Sequence, residues 1–211
     1  MGGLGRFFPI PYKSRRGQGG ASMNGFDFAF SLFAIVLGLS LAEVLSGFAK
    51  ALRHRRVVHL GWLTPLLGIF VMLDLTFFWD WTWTARALIQ PRAGVLVIGL
   101  IVASLYYLAA SVVFPADVRE HENFDAHYFQ HRRQVLGAVV LCNLVGEGWN
   151  QVRLASQLPW HVWAEIVLYF ALLAVGIVTR SKRLSIAVLV LLIGLYLESA
   201  SETFVQMPFS G

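Results

Sequence analysis

The sequence predicts an all-α, polytopic transmembrane helix bundle with six spans, and three observations carry that prediction. Hydrophobic residues make up 57% of the 211-residue chain and charged residues only 14%, whereas soluble domains run near ~45–50% apolar and ~25% charged. The mean hydropathy is +0.64. The apolar residues gather into runs long enough for a helix to cross a ~30 Å hydrocarbon core, and basic residues collect at the ends of those runs.

The runs fall at residues 26–49, 60–84, 94–114, 135–156, 160–179 and 184–205. In the first, Ala34, Gly38 and Ala42 recur every four residues. Lipid tails give helices no hydrophobic reason to associate, so such a stripe predicts a helix-contact face. The second carries Asp74 and Asp80 beside Trp79, Trp81 and Trp83, which read as an interfacial aromatic belt. The third offers Gly99 and Ala103 for close contact, and Ser104, Tyr107 and Ser111 on one face. Asn143, Glu147, Asn150 and Gln151 make the fourth unusually polar, and a re-entrant or interfacial helix is its alternative. Glu165 lies in the fifth, behind Trp160 and Trp163, and the sixth holds Glu198 and Glu202 one turn apart. Residues 115–134 can form a short amphipathic helix on the membrane surface.

Residues 1–22 are Gly-rich, basic and without apolar periodicity, and are expected to be a flexible extension to a six-span domain over residues 23–211. Met23 is an alternative start to Met1. The lone Cys142 excludes an internal disulfide.

Charge placement predicts orientation, because Lys and Arg are retained on the cytoplasmic side. Lys50, Arg53, Arg55, Arg56, Arg119, Arg132, Arg133, Arg180, Lys182 and Arg183 put ten on one side, against Arg86, Arg92 and Arg153 on the other. Arg6, Lys13, Arg15 and Arg16 raise the smaller count to seven. Both termini are then periplasmic. The net charge of +5 is explained by these span ends, so no nucleic-acid partner is expected. The bilayer is the expected partner, with a homo-oligomer or a membrane complex also open.

Ionisable residues in mid-span are costly and normally face the bundle interior. Asp74 and Glu147 fall near mid-depth, with Glu165 and Glu198 nearer the outer face. With Asn143 and Tyr107 they form a candidate proton or cation site. Asp74 is expected to face other helices, and Asp80 to reach headgroups or water. The alternative is structural: the acids tie the helices together, Asp74 being held by Tyr107 or Asn143, in an assembly partner without transport. His127 and His131, one turn apart, are a weak metal-ligand candidate. No cofactor is expected. With no phosphate loop or nucleophile elbow, enzyme activity is not assigned.

The segments "VLGLSLAEVL", "YYLAASVVFP" and "HYFQHRR" resemble those of short polytopic bacterial inner-membrane proteins of about six helices. The resemblance implies a bacterial inner membrane and a helical bundle, and it supplies no catalytic residues.

Overall fold

A computed structural model describes residues 25–54, 61–85, 93–116, 123–146 and 159–205. They form six α-helices: α1 (Gly25–His54), α2 (Leu63–Thr84), α3 (Ala93–Ser111), α4 (Phe124–Gly146), α5 (Trp160–Val178) and α6 (Lys182–Val205). Five of them, all but α4, are long and apolar enough to cross a membrane. The chain is a multi-pass membrane protein. Its outer surface agrees, since Ile35, Leu108, Val167 and Leu191 are each more than half exposed, which a water-facing surface tolerates poorly in such numbers.

Helix neighbours close into a ring in the order α1, α3, α4, α5, α6, α2, and α2 also packs across the middle against α4. These two central helices bury most. On α2, Leu67, Phe70, Val71, Asp74 and Leu75 are inside, as are Val135, Leu136, Val139, Cys142 and Asn143 on α4.

The predicted contact stripe of α1 is corrected by this packing. Gly38 and Ala42 are exposed, and a Cβ on Gly38 would meet nothing. The buried stripe is Leu37, Ser40, Val44, Gly47 and Ala51, spaced three and four apart, so α1 turns a different face inward. Gly47 permits the approach of Phe114, whose ring would collide with a Cβ. On α3, Gly99 does serve contact, because a Cβ there would lie 2.6 Å from the Phe33 ring.

The fourth helix also differs from expectation. It begins at Phe124 rather than near residue 135, so part of the segment read as a surface helix is the first half of α4. Asn123 starts it. Its Oδ1 accepts the Asp125 N–H at 2.9 Å, the N-cap geometry that supplies a partner to one of a helix's orphan donors. Of the tryptophans read as a belt, Trp79, Trp83, Trp160 and Trp163 are exposed, whereas Trp81 is buried.

Asp125 then fastens three helix ends. Its Oδ1 accepts the Leu63 N–H at 3.2 Å at the start of α2, its Oδ2 pairs with Lys182 at the start of α6, and it sits on α4 itself. Thr64 adds a hydrogen bond to the Phe124 carbonyl at 2.7 Å. Gly61 makes the approach possible: its φ is +54°, a left-handed conformation costly for other residues, and the Asp125 carboxylate occupies the place of its missing Cβ.

Candidate functional site

Asp74 lies near the middle of α2 and is 1% exposed. Its Oδ1 accepts three hydrogen bonds, from Asn143 Nδ2 on α4 at 3.0 Å, Tyr169 Oη on α5 at 2.9 Å and Tyr196 Oη on α6 at 2.6 Å. The two tyrosine oxygens are 2.9 Å apart. One carboxylate therefore joins four helices.

The amide orientation of Asn143 follows from its partners. Nδ2 also donates to the Val139 carbonyl at 3.0 Å and to Tyr169 Oη at 3.2 Å. Two of the three acceptors are carbonyl or carboxylate oxygens, which can only accept, so the N–H₂ must face them. Oδ2 of Asp74 has no hydrogen-bond partner. The buried Tyr106 hydroxyl on α3 stands near enough to interact with the same carboxyl, but its geometry falls short of a hydrogen bond. No cation pairs with Asp74 among the described residues.

Of the six residues assigned to this site from sequence, the structure brings together Asp74 and Asn143. Tyr107 does not join them. It is 40% exposed, because successive side chains on a helix are about 100° apart and the inward position belongs to Tyr106. Glu198 is exposed, two residues beyond Tyr196 on α6. Glu165 is half-buried and one turn before Tyr169 on α5. Glu147 lies outside the described residues. Tyr169 and Tyr196 complete the site in their place. The available signal was a tyrosine in mid-span, whose hydroxyl needs a partner where lipid supplies none.

Asp80 occupies different surroundings. It lines a groove of about 690 Å³ between α1 and α2, with Phe30, Leu37, Leu75, Trp79 and Trp83 among the walls. Gly38 forms part of the same wall, which is why its small size serves no helix contact.

The histidine pair is stacked, with ring centroids 4.2 Å apart. His127 Nε2 donates to the Val112 carbonyl at 3.0 Å and His131 Nδ1 to the His127 carbonyl at 3.2 Å. Among the described residues, no three or more His, Cys, Asp or Glu side chains gather as a metal site would require.

Comparisons with protein families, with curated proteins and with solved structures find no match for this chain.

Proposed function

We propose that this chain is a bacterial inner-membrane protein whose Asp74 centre binds and releases a proton within the bilayer. The observation supporting this is a count of hydrogens. Asp74 Oδ1, Tyr169 Oη and Tyr196 Oη form a triangle with sides of 2.9, 2.6 and 2.9 Å. Two hydroxyls supply two hydrogens for three contacts while the carboxylate is ionised. A proton taken up by the carboxyl is the third. Its arrival or departure changes which oxygen donates to which, and so changes how α2 is held by α5 and α6.

A metal cation suits the same geometry less well. Hard cations take several oxygen ligands, whereas Asn143 presents its N–H₂ group and both tyrosines direct hydrogens at Asp74. Glu165, about 6 Å along α5 from Tyr169 by helical rise, extends the polar line toward the Trp160 end and is the route by which the proton exchanges. The end of the bundle carrying Lys50, Arg53, Arg132, Arg133, Arg180, Lys182 and Arg183 faces the cytoplasm, and both termini are periplasmic.

A second reading draws on the number of helices that meet at Asp74: a purely structural clasp within a homo-oligomer or a membrane complex. Proton release distinguishes the two. Protein in nanodiscs, shifted from acidic to alkaline buffer and followed with a pH-sensitive dye, should release about one proton more per chain than the Asp74→Asn variant. Equal release, with both proteins folded, would leave only the clasp. Reporter fusions after Arg56 and Arg183 should register as cytoplasmic and one at Gly211 as periplasmic; a cytoplasmic C-terminus would reverse the orientation.

A further inference from the structure

At the basic end of the bundle a second polar cluster lies outside the Asp74 centre. Arg132, on α4, is only 3% exposed, yet its Nε and Nη1 have no hydrogen-bond partner. Its guanidinium stacks over the Phe129 ring at 5.0 Å, and that contact leaves the Nε and Nη1 donors unused. Beside it, Tyr128 on α4 and Ser185 on α6 are 1% and 0% exposed. Their hydroxyls lie close enough to interact, but neither has a hydrogen bond of ordinary geometry.

The charges around Arg132 are also of one sign. Arg133 and Arg180 both act on Arg132 as like charges. No carboxylate pairs with it among the described residues, and Asp125, seven residues earlier on the same helix, is committed to Lys182 and the Leu63 N–H. A buried guanidinium with three donors to satisfy and two cations beside it lacks an anion.

We propose that Arg132, the Tyr128 and Ser185 hydroxyls and the first turn of α6 form a binding site for a phosphate group, carried by an anionic lipid headgroup or by free inorganic phosphate. Every element of the cluster donates. Arg132 supplies charge-assisted N–H groups suited to phosphate oxygens, and the two hydroxyls can turn their hydrogens toward the same anion. Ser185 N–H bonds the Ser181 carbonyl at 2.9 Å, so the N–H groups of Lys182, Arg183 and Leu184 before it belong to the open, positive end of α6. α4 and α6 each pack against α2 and α5, and the cluster joins α4 to α6 at their basic ends. Arg132 is about two turns inside the start of α4, and basic pockets between spans bind anionic lipid headgroups.

The site is independent of proton binding at Asp74, and the test uses full-length protein stripped of lipid in a neutral detergent. One arm titrates phosphatidylglycerol against phosphatidylcholine by native mass spectrometry; the other measures melting with inorganic phosphate against chloride at equal ionic strength. Wild type should prefer phosphatidylglycerol, or be stabilised by phosphate, and the responding arm names the source. Arg132→Gln should weaken that response at least tenfold and Ser185→Ala about threefold, while Asp74→Asn leaves it unchanged. Arg132→Met serves as the folding control: removing an unpartnered buried charge should keep or raise the ligand-free melting temperature. Wild type that responds to neither probe, Arg132→Gln that responds like wild type, or Arg132→Met that melts far below wild type without ligand would each overturn the proposal.

Discussion

Asp74 and Asp125 are both buried aspartates that fasten helices together, and they are held in opposite ways. Asp125 has a cation, Lys182, and a backbone N–H, both at helix ends. Asp74 has an amide and two hydroxyls in the middle of the bundle, and one of its oxygens has no partner. An ion pair beside a helix start draws its strength from the charge on the acid. Neutral donors accept either state of an acid. The two carboxylates thus differ in their partners although both are buried.

The contrast is broken most directly at Asp125. Asp125→Ala strands the Leu63 N–H and releases Lys182, while the Thr64 hydrogen bond to the Phe124 carbonyl still ties α2 to α4. A loss of about 3 kcal/mol is expected, because an unsatisfied buried donor and a lost charged hydrogen bond each carry a cost of that order. Lys182 is half-exposed, so solvent screening keeps the ion-pair share small. Equilibrium unfolding in mixed detergent checks it; a loss below about 1 kcal/mol would mean the three ends are held by something else.

Asp74→Leu comes next, at about 2 kcal/mol, since Asn143 keeps the Val139 carbonyl but Tyr169 and Tyr196 lose their shared acceptor. Asp74→Asn keeps an oxygen in place and should lose less than about 1 kcal/mol. If Asn proved as damaging as Leu, Asp74 would behave like Asp125, as a residue needed in its charged form.

A smaller effect sharpens the site's boundary. Tyr196→Phe removes the 2.6 Å hydrogen bond and should cost about 1 kcal/mol, whereas Tyr107→Phe, on the exposed side of α3, should stay within about 0.5 kcal/mol. Equal effects in the same unfolding assay would place Tyr107 at the centre after all.

These two aspartates also differ in how far the sequence reveals them. Asp74 announces itself: an acid amid "FVMLDLTFF" has no donor in lipid, so it must turn inward, and Asn143 is among the few polar side chains at its depth. Choosing Tyr107 over Tyr106 needs the rotation of α3 about its axis, which Gly99 against Phe33 helps set and which adjacent tyrosines do not encode. Asp125 is harder still. Its partners are 62 and 57 positions away in the chain, and its neighbours His121, Glu122 and His127 make the segment read as an amphipathic helix on the membrane surface. The overlooked local signal is Asn123, a helix-starting residue just before Phe124. Composition and span length suffice for six helices because they are local properties. The face of α1 that turns inward depends on what Phe114 and α3 present to it, and the stripe of small residues pointed to the wrong side.

The central claim, that the carboxyl of Asp74 exchanges a proton inside the bundle, is tested most directly by infrared difference spectroscopy between alkaline and acidic buffer. Wild-type protein, Asp74→Asn and Asp125→Asn would be compared in nanodiscs, with the amide band confirming that each remains helical. The account predicts a protonated-carboxyl stretch, shifted by deuterium exchange, that is weaker in Asp74→Asn than in wild type by the contribution of one buried carboxyl. A band that persists undiminished in folded Asp74→Asn would contradict it.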